Sequence, residues 1–172
     1  MSERTGAILR RLRASDIPAA LQLSAEAGWN QTAEDWRMLI DLAPEGCLAI
    51  QFDGELASTA TLFCYGRRLA WIGMVLTGIA YRGRGFARRL LTETLALADQ
   101  MQIATVKLDA TDQGQPLYEK LGFRSEQPVE RWARPSSADV PTPALSSDAT
   151  YSKAWQAADH HAFGLDLSLI HI

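Results

Sequence analysis

The chain has 172 residues, 47% of them apolar and 22% charged, which suits one globular domain with a substantial core. Its net charge of −3 offers a nucleic-acid partner no whole-chain electrostatic support. No apolar run is long enough to cross a membrane, and Met1-Ser2-Glu3-Arg4 opens no signal peptide, so a cytoplasmic protein is expected.

Ile8 to Leu12 has the pattern of a short strand. Ser15 then stands as an N-cap, with Asp16 and Pro18 in the first turn of a helix whose face carries Ile17, Ala20, Leu21 and Ser24. Gly28 stops it. Thr32 opens a second helix with Asp35 as a capping box, and Trp36, Leu39 and Ile40 form its apolar side. Cys47 to Gln51 and Glu55 to Tyr65 read as strands joined by the hairpin signal Asp53-Gly54. Gly66-Arg67-Arg68 turns the chain again into a third strand, Leu69 to Leu76. The two cysteines, Cys47 and Cys64, lie in apolar runs and read as small buried side chains. No Cys/His ligand spacing is present, so no metal is expected.

The pattern then changes. Gly78 to Gly85 is loop, and Phe86 to Met101 is an amphipathic helix with Phe86, Leu90, Leu91, Leu95, Ala98 and Met101 on one stripe. Ile103 to Leu108 is the next strand, which implies a parallel pair with a crossover. Pro116 sits in the first turn of a short helix, Leu117 to Leu121, ended by Gly122. A further strand is expected from Phe123, including Val129 to Trp132. The fold class is therefore α/β, a mixed sheet flanked by helices.

Domain organisation follows from composition. Residues 1–132 form the main domain. Residues 133–150 are Pro/Ser-rich and have linker character. Residues 151–172 read as the start of a truncated C-terminal domain, with a helix from Tyr151 to Phe163. The last six residues, Leu167 to Ile172, can be encoded by a sequencing-library adapter, so natural sequence is expected to end near Asp166. His171 carries no functional weight, and the adjacent His160 and His161, which on a helix do not face one ligand together, read as surface residues.

The chemistry concentrates in Arg82-Gly83-Arg84-Gly85-Phe86-Ala87. Here a strand feeds a glycine-containing loop that opens directly into a long helix. Helix starts leave backbone N–H groups unpaired and carry partial positive charge. Glycines let such a backbone approach a phosphate closely. Arg82, Arg84, Arg88 and Arg89 add cationic groups. Composition alone leaves open whether they form a solvated helix start or face an anionic ligand. The loop lacks the Gly-Lys-Ser/Thr ending of a Walker A motif, and Arg88 stands where a dinucleotide fingerprint needs its last glycine.

Arg82, Gly85 and Ala87 match in register the Q/R-x-x-G-x-G/A motif of the GNAT acetyltransferase family, which this sequence resembles. Tyr118-Glu119-Lys120-Leu121-Gly122-Phe123 is similar to that family's downstream Y-x-K-x-G-F segment. The resemblance covers roughly residues 7–132. A weaker likeness to a second, GNAT-like C-terminal domain rests on Asp159 and Ala162-Phe163-Gly164.

The resemblance implies an acetyl-CoA-dependent N-acetyltransferase acting directly on a primary amine in a ternary complex. It places the pyrophosphate on backbone amides of Gly83, Arg84, Gly85, Phe86 and Ala87, with Arg82 at the rim. It runs the pantetheine arm along Met74, Val75 and Leu76, whose N–H groups can polarise a thioester carbonyl. Tyr118 matches the position of the proton donor to the leaving thiolate. Its alternative is an amphipathic core residue. An alkyl amine has a reference pKa of about 10.4 and must lose a proton before attack. Glu26 and Asp109 are the candidate carboxylate bases, though neither is specified by a motif. Thr111 stands where many members carry Asn. The expected partner is a small-molecule amine, with neither nucleic acid nor membrane, and self-association is left open. A non-catalytic acyl-CoA-binding module and a protein N-acetyltransferase are the competing readings.

Overall fold

A computed structural model describes residues 6–129. The chain divides into two compact units, Met1–Arg124 and Ser125–Ile172. The linker at 133–150, the 151–172 segment with its histidines and terminal residues, and the strand positions 130–132 lie outside the described residues.

Among the described residues, five strands form one sheet in the order β1-β2-β3-β4-β5: β1 Ile8–Arg11, β2 Cys47–Phe52, β3 Glu55–Tyr65, β4 Leu69–Thr77 and β5 Val106–Leu108. Strands β1 to β4 are antiparallel to one another, and β5 joins β4 in parallel, as the change of pattern after residue 77 predicts. Asp53 and Gly54 both take positive φ, 50° and 89°, the geometry of a two-residue hairpin turn.

Helices α1 (Ile17–Glu26) and α2 (Ala33–Leu42) cover one face, and α3 (Phe86–Gln100) covers the other, with α4 (Gln115–Lys120) beside it. Both faces of β2 are therefore buried. Cys47 and Ala49 pack with Ile17, Ala20, Leu23 and Trp36, while Leu48 and Ile50 pack with Phe86 and Leu90. This explains why β2 reads as a continuous apolar run rather than an alternating one. Cys47 is fully buried and burial pushes its thiol up to about 12, so it is inert as a nucleophile. Trp36 is fully buried too, and its indole N–H donates to Ser24 Oγ at 3.2 Å. The Thr32 capping box forms as expected: Asp35 N–H donates to Thr32 Oγ1 and Thr32 N–H to Asp35 Oδ2.

Four expectations are corrected. Ser15 does not cap α1. A 3-10 turn, Ala14–Asp16, precedes the helix, and Asp16 organises it by accepting from Arg13 N–H at 2.8 Å and from both Arg10 Nη atoms at 2.7 and 2.9 Å. Burial raises the Asp16 pKa, but these hydrogen bonds and charges outweigh it and hold the carboxyl below its usual range. Met101 falls just past the end of α3 and is 41% exposed. The strand after α3 is shorter than the apolar run, although Ala104 N–H already donates to Arg67 O and Thr105 O accepts from Ala70 N–H. Residues 123–129 form no strand. There Gly122 turns the chain at φ +92° and Phe123 N–H closes back on Tyr118 O at 3.1 Å. The segment that follows is polar apart from Val129, and Pro128 has no N–H to pair.

Candidate functional site

Strand β4 is gripped on one edge and released on the other. Against β3, Leu76 pairs with Thr59 but Gly73 pairs with Thr61. Two residues of β3 thus span three of β4, which defines a bulge with the extra residue on β4. Met74 within it takes φ +48°, a left-handed conformation that a side chain with a Cβ rarely adopts. Buried hydroxyls of β3 hold the distortion. Thr59 Oγ1 donates to Met74 O at 2.8 Å, and Ser58 Oγ donates to Leu76 O at 2.6 Å beside Thr77 Oγ1 at 2.7 Å. Sequence reasoning missed Ser58 and Thr59. Their signal was a cluster of hydroxyls, Ser58, Thr59 and Thr61, inside a largely apolar strand.

On its opposite edge β4 pairs with β5 only from Ala70 to Ile72. From Gly73 onward this edge has no strand partner among the described residues, so Met74, Val75 and Leu76 lie on an edge that an extended ligand can join by backbone hydrogen bonds.

The open edge leads into the glycine loop. After Thr77 the chain makes a 3-10 turn, Ile79–Tyr81, then runs extended through Arg82 to Gly83 and Gly85, at φ +76° and +80°. Gly85 is the N-cap of α3 and provides no side-chain cap. The first helical hydrogen bond from a following residue is Arg89 N–H to Gly85 O at 3.0 Å, so the N–H groups of Phe86, Ala87 and Arg88 have no partner within the helix. A Cβ built on Gly83 or Gly85 meets nothing within 4 Å. The space above the loop is open, and glycine is required there by backbone conformation rather than by crowding. Phe86 is buried and anchors the helix start against Phe52, with ring centroids 5.5 Å apart.

The arginines do more than supply charge. Arg82 Nε donates to Thr77 O at 3.3 Å, the Arg84 guanidinium lies 4.9 Å from the Phe52 ring centroid, and Arg89 Nη1 donates to Ala7 O at 2.9 Å. These contacts brace the loop against the end of β4 and the tip of β2, and the first turn of α3 against the residue before β1.

Tyr118 on α4 is 8% exposed and belongs to the cluster of Leu62, Ile72, Leu91 and Ala98, against which Val75 also packs. Its ring meets Phe123 edge-on, with centroids 6.1 Å apart. Gly114 makes room for it, since a Cβ there would stand 2.8 Å from the ring. Burial pushes the phenol pKa above its ordinary value, so Tyr118 is protonated at neutral pH and can donate. Thr111 builds the approach to α4, with Gly114 N–H donating to its carbonyl at 2.9 Å and lying 3.2 Å from its Oγ1. Asp109 is exposed and directly follows the last β5 residue, where β5 and β4 stop pairing. Glu26, at the end of α1, accepts from Ile79 N–H at 2.9 Å. Among the described residues no three His, Cys, Asp or Glu side chains converge as metal ligands would. A groove of about 300 Å³ lined by Leu9, Arg10, Glu93 and Leu97 shares no residue with the loop, β4 or α4.

The sequence model of the Acetyltransferase (GNAT) family matches residues 15–123. YitH of Bacillus subtilis, an uncharacterized N-acetyltransferase, is 29% identical over 165 residues, covering 93% of this chain and 57% of its own. A Pyrococcus horikoshii protein described as a putative acetyltransferase superposes with a TM-score of 0.72 at 23% identity, over 96% of this chain and 61% of its own. Rv2747 of Mycobacterium tuberculosis, solved in complex with CoA, superposes with a TM-score of 0.60 at 20% identity, over 73% of this chain and 76% of its own. The chain thus spans 57% of the length of YitH and 61% of the Pyrococcus protein.

The bulge generates a test of its own. Thr59→Val keeps the shape of the side chain but leaves Met74 O without its buried donor. Urea unfolding is expected to show a loss of about 1–2 kcal/mol. Unchanged stability would mean that the hydroxyl does not hold the bulge.

Proposed function

The chain belongs to the GNAT acetyltransferase family, and from that premise we propose that it transfers an acetyl group from acetyl-CoA to a primary amine of a small molecule, directly and within a ternary complex. One observation carries the reading: the open edge of β4 leads, through one 3-10 turn, into a glycine loop whose helix-start N–H groups lack partners within the helix. Such a site suits a ligand with an extended amide-bearing arm and a pyrophosphate at one end. The residues present fit that chemistry. Gly83 and Gly85 allow close approach of the backbone, and Phe86, Ala87 and Arg88 offer N–H donors.

When bound, acetyl-CoA supplies a thioester whose C–S bond breaks as the amine nitrogen bonds to the carbonyl carbon. The chain's own residues do the rest. Thr59 and Ser58 hold the carbonyls of Met74 and Leu76, which sets the backbone of the bulge that would offer N–H donors to the thioester oxygen, and preorganised donors stabilise developing oxygen charge best. Tyr118 donates its phenolic proton to the departing sulfur, whose reference thiol pKa is about 8.5. A phenol is protonated at neutral pH at its ordinary value, and burial raises that value further. The amine loses its proton to a carboxylate or to a water that one holds. Asp109, exposed where β5 leaves β4, is the better placed of the two carboxylates considered, because Glu26 already accepts the Ile79 N–H.

The reading is tested by thiol release from acetyl-CoA against a panel of primary amines. Tyr118→Phe is expected to lower kcat by about 100-fold, within the range typical of a general acid, with acetyl-CoA affinity nearly unchanged. Full turnover by that variant would remove Tyr118 from the acid role. Gly85→Glu places a side chain and a negative charge at the helix start and is expected to abolish acetyl-CoA binding. Normal binding by the folded variant would refute the loop assignment.

A further inference from the structure

Glu26 stands at an electrostatically awkward place. It is the last residue of α1, at the end where the helix dipole disfavours a negative charge, and the last turn of α1 holds no basic residue. Its carboxylate reaches instead to the loop between β4 and α3, 53 residues away in sequence, and accepts the Ile79 N–H through Oε2 at 2.9 Å. That N–H belongs to the first residue of the 3-10 turn, Ile79–Tyr81. The opening N–H groups of such a turn have no acceptor within it. Side-chain burial does not hold the turn at this residue, because Ile79 is 61% exposed.

A second contact joins the same two elements. Gly78, one residue before Ile79, is buried against Leu23 of α1. A Cβ built there would stand 3.2 Å from Leu23 Cδ2 and 3.1 Å from Tyr81 Cδ2. The end of α1 therefore touches two successive residues of the loop, once by close packing and once by a charge-assisted hydrogen bond. Downstream lies the segment that presents Gly83 and Gly85. Leu23 also belongs to the core that includes Leu76 and packs against Met74. Helix α1 thus meets both the bulged end of β4 and the loop that follows it.

We infer that Glu26 is a positioning residue, a clasp that sets the register of the phosphate-binding loop on α1, and not the base that deprotonates the amine. The inference rests on the acetyl-CoA reading for its kinetic consequence but not for its structural one. Gln at position 26 keeps an oxygen able to accept the Ile79 N–H and cannot take a proton from an amine. Ala loses both properties. The two substitutions therefore separate the roles.

Glu26→Ala is expected to raise the KM for acetyl-CoA roughly five- to tenfold, the scale of one lost solvent-exposed hydrogen bond, with kcat changed less than about twofold at saturation. Glu26→Gln is expected to restore most of that KM and to keep the wild-type pH–rate profile. A fall in kcat of about 100-fold or more in both variants would overturn the inference and make Glu26 the base. So would an unchanged KM in Glu26→Ala. Amide hydrogen exchange on the ligand-free protein supplies an independent readout. Exchange at Ile79 to Gly85 is expected to quicken in Glu26→Ala and not in Glu26→Gln. Equal exchange in all three proteins would overturn the clasp whether or not acetyl-CoA binds. Failure of the wild type to bind acetyl-CoA, with the exchange pattern as expected, would instead refute the functional reading alone.

Discussion

Strand β4 must be held on one edge and free on the other, and the rest of the site depends on that constraint. Antiparallel pairing to β3 anchors it along nearly its whole length, while parallel pairing to β5 ends after Ile72. The bulge at Met74 accompanies this release. An extra residue increases local twist, and β4 bends where its second neighbour departs. A left-handed Met is costly in isolation. It persists here because Thr59 and Ser58 supply hydroxyl donors to the β4 carbonyls from within a buried strand. Donor and distortion form one unit.

The loop continues the same logic. Gly83 and Gly85 take positive φ and lead into α3, whose first N–H groups have no partner within the helix, and buried Phe86 fixes that start to the sheet. The arginines and Glu26 then attach the loop at separate points: to Thr77, to Phe52, to Ala7 and to α1. An anion site made of backbone donors works only if those donors are already oriented, since ordering them on binding would cost affinity. Bracing from several elements meets that requirement without placing a bulky side chain over the glycines.

Much of this was legible in the sequence where the cause is local. Asp53-Gly54 names its turn type, Thr32 and Asp35 form the expected box, and the stripe from Phe86 to Ala98 defines α3. The strand–glycine loop–helix order points to the loop proposed to hold the anion, and the match of Arg82, Gly85, Ala87 and Tyr118 to family motifs points to the family whose sequence model the chain matches. What stayed hidden is non-local. The bulge falls on Met74, a residue type that carries no signal for positive φ. The Glu26 to Ile79 bond joins positions that no periodicity connects, so Glu26 read as a free carboxylate. Ser15 had the right chemistry for a cap, yet Asp16 had better partners in Arg10 and Arg13. Over residues 123–129 the expected strand did not form because Gly122 turns the chain into a polar stretch containing Pro128.

Hydrogen exchange on the full chain with and without acetyl-CoA tests the central claim most directly, since it reads the β4 edge and the loop amide by amide. Protection is expected at Met74 to Leu76 and at Gly83 to Arg88, with little change along β1 and β2. Binding that protects other segments while leaving those amides unchanged would contradict the account.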